Sequence, residues 1–302
     1  MKIGFIGVGA MGAPMAKNLL KSDYVVYVND LDTEKVVELE KLGAIACETA
    51  ADVAKESDLI ITSLPNAAIV EAVMTGDNGL FTHCKPGTVV MDMSSVAPHS
   101  SQKMAGIAAE YQLGYVDAPV SGGVKGAEEG TLTIMVGAEQ DVFDKIKPVL
   151  ETLGKNIIHV GNVGAGDAIK IVNNLLLGCN MAALAEALVL GAQLGLNPET
   201  VLQVVGVSSG KSYAFDAKFK SFILAGKFDG GFSIDLQHKD LGLALAAGDD
   251  VSAQLPMTQT ASKVFEMAQA KGLNRQDISA IIKVWEDLAG VEVRLPSDTD
   301  DK

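Results

Sequence analysis

The sequence predicts an α/β protein in two parts, a sheet-and-helix first half and an all-helical second half. Three observations carry this. Up to Gly161, short β-branched and apolar runs alternate with helical patterns. Most of those runs are apolar throughout, as strands covered on both faces are. After Gly164 the patterns are long and helical, with no convincing strand.

The elements follow in order. KIGFIGV (2–8) is a strand that ends in glycines, and MGAPMAKNLLKS (11–22) follows with helical periodicity. YVVYVND (24–30) is a second strand, and TEKVVELEKLG (33–43) is a helix with a glycine stop. DLIITSLP (58–65) and TVVMDMSS (88–95) are two more buried strands. YVDAPVSGG (115–123) and TLTIMVG (131–137) come next, then a helix near 141–153 and a last strand, NIIHVG (156–161). The direction of the later strands stays open. Glycines 161, 164 and 166 mark a junction, which gives domains over 1–163 and 164–302.

The stretch 164-GAGDAIKIVNNLLLGCNMAALAEALVLGAQLG-195 reads as one long apolar helix. It carries Asn173, Asn174, Asn180, Glu186 and Gln193. A span facing lipid rarely holds so many polar groups, so no membrane partner is expected. A helix buried within the protein or between subunits fits better, and a homodimer or homotetramer is expected. The polar tail 296-PSDTDDK-302 is expected to be disordered.

Bulk properties narrow the function. With 302 residues the chain is long enough for two domains, and 48% hydrophobic with 21% charged residues describes a globular protein. A formal net charge of -14 repels phosphate backbones, which excludes nucleic acid as an expected partner. The three cysteines are far apart and form no C-x-x-C, as in a reducing compartment. The start, MKIGFIGVGAMG, has no cleavage pattern, so a cytoplasmic protein is expected. His83, His99, His159 and His238 lack metal-ligand spacing, and no metal is expected. Ser94, Ser95 and Ser121 stand outside any G-x-S-x-G elbow, which argues against serine-hydrolase chemistry.

Gly7-Val8-Gly9-Ala10-Met11-Gly12 is a G-x-G-x-x-G between a strand and a helix, at the start of a repeated βα pattern. That context makes it a Rossmann dinucleotide turn. The first glycine permits the tight turn, the second lets a pyrophosphate approach, and the third lets helix and strand pack closely. Asn29 and Asp30 close the second strand, about 20 positions on, where an acidic residue accepts hydrogen bonds from ribose hydroxyls. A 2'-phosphate would be repelled there, and Leu31 stands where an arginine would help. NAD is therefore expected over NADP.

Ser121-Gly122-Gly123 can expose consecutive N–H groups as an anion-binding concavity suited to a carboxylate, or form a plain strand-ending turn. Lys170 and Asn174 are four apart and share a helix face. Such a lysine can pass a proton to a carbonyl oxygen while Asn174 holds the same oxygen or a carboxylate. It can equally be a lysine that snorkels to the surface. Spacing alone leaves the two readings even.

GFIGVGAMGAPMAKNL, SLPN, DMSS, DAPVSGGVKGAEEGTLTIMVG, GAGDAIKIVNNLLLG and KDLGLAL occur together in the order and spacing of the β-hydroxyacid dehydrogenase family, which the chain resembles from residue 3 to about 245. The resemblance implies a Rossmann domain joined by the long helix to an all-α domain. It implies that Lys170 is the catalytic acid/base, that Asn174 assists it, and that Ser121, Gly122 and Gly123 hold the substrate carboxylate. Leu64, Pro65 and Ser95 would line the cofactor, and Lys239 would reach its nicotinamide end. The implied reaction reduces a short β-oxo acid with NAD(P)H. TSLPNAAIVEAVM, DLQHKDLGLAL and IKVWE look most like members acting on 2-formylglutarate. Tartronate semialdehyde and methylmalonate semialdehyde are the alternatives.

A dicarboxylate needs a second cation, and SSGKSYAFDAKFK offers Lys211, Lys218 and Lys220 unless these are solvated surface charges. Two other readings are weaker. A dinucleotide-sensing scaffold without catalysis would not need Lys170. A phosphosugar decarboxylase would need a dense basic cluster and a longer helical domain.

Overall fold

The computed structural model describes residues 1–295; the 296–302 tail lies outside them. The chain forms two compact units, Met1–Lys170 and a second that begins at Ile171, so the division falls inside the long helix.

The first unit is built on a nine-stranded sheet. Its strands are β1 (Lys2–Ile6), β2 (Val25–Asn29), β3 (Ile45–Ala46), β4 (Leu59–Thr62) and β5 (Val89–Asp92), followed by β6 (Gly114–Asp117), β7 (Val120–Ser121), β8 (Leu132–Gly137) and β9 (Gly154–Gly161). The order is β3-β2-β1-β4-β5-β6-β8-β7, with β9 paired to β8. β1 to β6 are parallel; β8 runs antiparallel to β6 and β7, and β9 runs parallel to β8. Strand order reverses between β1 and β4, which makes the carboxyl end of β1 the switch point where such sheets bind ligands.

Alternate residues of each strand feed two cores. Ile3, Phe5, Val26, Val28, Leu59, Ile61, Val89 and Met91 point to one face and pack with Met15 and Leu19 of α1 (Gly12–Lys21) and Ile146 and Leu150 of α7 (Gln140–Leu153). Tyr27, Ile60, Val90 and Tyr115 point to the other and pack with Met104 and Ala108 of α5 (Pro98–Glu110). This double coverage is why the strands read as continuous apolar runs.

Structure and expectation differ in places. α2 (Thr33–Glu40), α3 (Ala50–Glu56), α4 (Ala67–Thr75) and α6 (Gly123–Glu129) are all short, and the last three occupy connections without an assigned helix. Seven to nine residues carry too few turns to show a 3.6-residue period. The stretch 115–123 is not one strand. It breaks at Pro119 into β6 and β7, and its two glycines lead into α6.

In the second unit α8 (Ala165–Gln193) continues as a core helix. Met181, Ala185, Leu188 and Val189 pack with Phe219, Leu241, Phe265 and Ile281. α8 is long and apolar enough to cross a membrane by length and composition, yet it holds this core together. α9 (Pro198–Val205), α10 (Ile234–Asp250), α11 (Pro256–Ala270) and α12 (Ile282–Ala289) complete the unit, with a π-helix over Phe215–Leu224 and a 3-10 turn over Ile278–Ile281. Among the described residues it contains no strand beyond one isolated bridge, Ser233 to Asp277.

Lys218 belongs to this interior. It is 8% exposed and its ammonium meets Asp277 at 2.6 Å. Asp277 also accepts N–H groups of Phe232 and Ser279 and the Ser279 hydroxyl. A buried pair with every oxygen engaged is the arrangement that offsets desolvation. Lys218 is thereby corrected from a candidate substrate cation to a structural one. Lys211 is exposed and pairs with Asp216 at 3.2 Å, and Lys220 is exposed.

Beneath the start of α8 lies an acidic cluster. Asp117 and Asp167 are each 1% exposed, and Asp167 accepts the Ser101 hydroxyl at 2.6 Å. Burial pushes the Asp167 carboxyl well above its ordinary 3.8, and the neighbouring Asp117 adds to the shift. A raised carboxyl binds more protons folded than unfolded. Its contribution is complete at low pH and is lost as pH rises above 3.8 toward the folded value. Asp167→Asn removes that penalty. Its melting temperature relative to the parent should therefore climb between pH 4 and pH 8. A constant difference across a thermal-shift series would show that Asp167 ionises normally.

Candidate active site

The glycine turn has the geometry a dinucleotide requires. Gly7 has φ +87°, and a Cβ there would lie 2.3 Å from the Ser63 carbonyl oxygen. A Cβ on Gly12 would lie 1.9 Å from the Gly7 oxygen, so α1 is packed against the turn at van der Waals limit. Gly9 faces open space within 4 Å. Ala10 and Met11 lead directly into α1, and the helix start has no side-chain cap. The Ala13 N–H is taken up by the Gly9 carbonyl at 3.0 Å and Pro14 has no N–H, so an anion here would meet the N–H groups ahead of them, in the Gly9–Gly12 turn. These features fit a pyrophosphate.

Asp30 follows β2. One carboxylate oxygen accepts the Val8 N–H at 2.7 Å and the other accepts the Asp32 N–H at 2.9 Å. The acid is therefore fixed beside the turn, with Leu31 fully exposed next to it. Asn29 spends its amide hydrogens on the carbonyls of Cys47 and Glu48, leaving its side-chain oxygen for other contacts.

Leu64 and Pro65 follow β4. Leu64 is half-buried and borders the turn: a Cβ on Gly7 would lie 3.1 Å from its Cδ2. Pro65 is exposed, and Ser95, after β5, is half-buried. A network absent from the sequence reading orders these loops. Asp92 accepts the hydroxyls of Thr62 at 2.7 Å and Ser94 at 2.5 Å, and Ser94 Oγ accepts the Leu64 N–H at 2.8 Å. The carboxylate at the end of β5 thus ties the end of β4 to both loops.

Gly122 and Gly123 have φ +136° and +63°, and Gly123 faces open space. The turn after Ser121 therefore needs glycine twice. The Lys170 ammonium donates to the Val120 carbonyl at 2.8 Å. The long helix thereby delivers its amine to the residue that precedes Ser121.

Asn174 lies one turn further along α8, in the second unit, and is 2% exposed. Its amide donates to the Asp240 carboxylate, its side-chain oxygen accepts from Asn173 at 2.9 Å, and its carbonyl accepts from Gln237 at 2.9 Å. Lys239 stands 3.5 Å from Asp240. Asp240 and Gln237 were not singled out from sequence. Asp240 is the middle residue of the KDL motif, and Gln237 lies three positions before it on α10. That spacing is the signal that could have found both.

Two family models cover the chain. Residues 2–161 match the NAD binding domain of 6-phosphogluconate dehydrogenase, and residues 164–285 match the NAD-binding region of NADP-dependent 3-hydroxyisobutyrate dehydrogenase. The chain is 61% identical to 2-(hydroxymethyl)glutarate dehydrogenase of Eubacterium barkeri, over 97% of each protein. It is 38% identical to 2-hydroxy-3-oxopropionate reductase of Escherichia coli, over 96% of this chain and 98% of the other. The fold matches that of Mycobacterium tuberculosis 3-hydroxyisobutyrate dehydrogenase, solved with L-serine. The TM-score is 0.86 at 32% identity, covering 94% of this chain and 98% of that one. The turn, the sheet order and these matches agree: the chain belongs to the β-hydroxyacid dehydrogenase family and is an NAD(P)-dependent oxidoreductase.

Proposed function

We propose that this enzyme interconverts 2-formylglutarate and 2-(hydroxymethyl)glutarate with NAD(H), and that Lys170 handles the proton. The observation that carries the reading is the Lys170 ammonium on the Val120 carbonyl, one residue before Ser121-Gly122-Gly123. That contact sets the ammonium beside the Ser121 turn, where a substrate carboxylate and its neighbouring carbonyl oxygen would lie. The substrate itself is supported by the 61% identical relative, which bears that name.

When bound, the nicotinamide supplies or accepts the hydride. Lys170 gives its proton to the aldehyde oxygen as the alcohol forms, and takes it back in reverse. Ser121 and the Gly122 and Gly123 N–H groups hold the carboxylate. Asn174, its amide oriented by Asp240 and Asn173, binds the substrate, and Lys239 adds positive charge. Gly7, Gly9, Ala10, Met11 and Gly12 cradle the pyrophosphate. Asn29 and Asp30 meet the ribose, and Leu64, Pro65 and Ser95 line the cofactor.

The reading includes a homodimer or homotetramer. Ile169, Val172, Leu176, Ala183, Ala187 and Leu190 are exposed along α8 at spacings of three, four and seven residues. An apolar stripe of this length suits a second copy of the chain across a two-fold axis. The three free thiols suit a reducing cytoplasm.

Lys170→Ala should lower kcat by about 10²- to 10⁴-fold. Assays with NADH and the three aldehydes should rank 2-formylglutarate first. A fully active variant would remove Lys170 from the chemistry, and a different preferred aldehyde would replace the substrate. The parent should favour NADH over NADPH. Asp30→Asn should narrow that preference roughly tenfold, the equivalent of one charged hydrogen bond; an unchanged ratio would place cofactor choice elsewhere. Replacing Leu176 and Leu190 together by Glu should yield monomers by light scattering. Assembly identical to the parent would move the interface off α8.

A further inference from the structure

Asp117, at the end of β6, is buried and gives both carboxylate oxygens to the chain that enters α8. Oδ1 accepts the Gly164 N–H at 2.7 Å, and Oδ2 accepts the Asp167 N–H at 2.8 Å. Gly164 precedes the helix and Asp167 lies in its first turn. One carboxylate therefore clamps the chain on both sides of the helix start.

The surroundings leave this clamp no play. A Cβ on Gly137 would lie 2.3 Å from Asp117 Oδ1. A Cβ on Gly166 would lie 2.4 Å from the Met135 carbonyl oxygen and 2.8 Å from Asp117 Oδ2. The helix start is seated directly on the ends of β6 and β8. Burial pushes the Asp117 carboxyl up, and the Gly164 and Asp167 N–H groups pull it back down. Backbone donors thus stand where a countercharge would otherwise be needed.

Lys170 follows Asp167 by three residues, one turn on along the same face. A lysine on a loosely seated helix samples many points, because its four-carbon stem is flexible. Here its backbone origin is fixed to the sheet strand that leads into Val120 and Ser121. We propose that Asp117 is a positioning residue for Lys170: by pinning the first turn of α8, it sets where the amine meets the Val120–Ser121 segment. This rests on the reading of Lys170 as proton donor. Asp117 acts through the helix and touches no reacting atom.

The test uses the full-length enzyme and whichever of 2-formylglutarate, tartronate semialdehyde or methylmalonate semialdehyde the parent reduces fastest. Asp117→Asn keeps the shape but offers one oxygen to two N–H donors. Gly166→Ala leaves the carboxylate and lifts the helix start. Both should lower kcat about 100-fold, as a displacement near 1 Å does, while KM and the NADH dissociation constant stay within about threefold. Ser101→Ala removes only the hydroxyl on Asp167 and should keep kcat within about threefold of the parent. Parental kcat in Asp117→Asn, beside an inactive Lys170→Ala, would overturn the proposal. So would a loss shared equally by Ser101→Ala, or one matched by weakened NADH binding. Full activity in Lys170→Ala is a separate outcome that removes the proton-donor reading and this proposal with it. If Asp117→Asn does not fold, the kcat and KM split in Gly166→Ala decides.

Discussion

The first turn of α8 rests on the ends of β6 and β8 so closely that residues 137 and 166 have no room for a side chain. That contact organises much of the first unit. It explains why a carboxylate is buried at Asp117, where backbone N–H groups from the entering helix replace water around its charge. It also explains the raised carboxyl of Asp167, which shares the same buried space and cannot ionise cheaply beside it. Further along α8, Met181, Ala185, Leu188 and Val189 belong to the core of the second unit.

The same logic of close approach governs the opposite end of the function. At the glycine turn, Gly7 and Gly12 are excluded from bearing Cβ atoms by protein backbone, whereas Gly9 faces space. Two glycines serve the fold and one leaves room for a ligand. Asp30 reaches back to the Val8 N–H, so the acid that follows β2 also stiffens the glycine turn. Asp92 does comparable work between β4 and β5. Carboxylates that accept hydroxyls or backbone N–H groups recur at strand ends along the carboxyl edge of the sheet.

The second unit buries polar groups in two ways. Lys218 and Asp277 form a closed pair with every oxygen engaged, a structural arrangement with nothing left to offer a ligand. Asn174, Asp240 and Lys239 form an open one: Lys239 remains about a third exposed beside a buried acid. The contrast separates lysines that look alike as letters. Among the candidate cations for a second carboxylate, Lys218 is spent on Asp277 and Lys211 stays on the surface with Asp216.

Much was legible from the chain itself, because the interactions concerned are local. Continuous apolar runs showed the strands of the parallel sheet apart from the two-residue, exposed β3, and the spacing of Gly7, Gly9 and Gly12 after β1 showed the dinucleotide turn. Lys170 and Asn174 were linked by helical spacing alone. Short helices such as α3 and α6 stayed hidden, since so few residues carry no period. Tertiary structure decided what depends on distant partners. Whether Lys218 is buried turns on Asp277, many positions away; whether Asn174 has a fixed orientation turns on Asp240; and Asp117 finds its two donors at Gly164 and Asp167. Spacing along a chain reports which residues share a face. Only packing sets which faces meet, and so which buried charge has a partner.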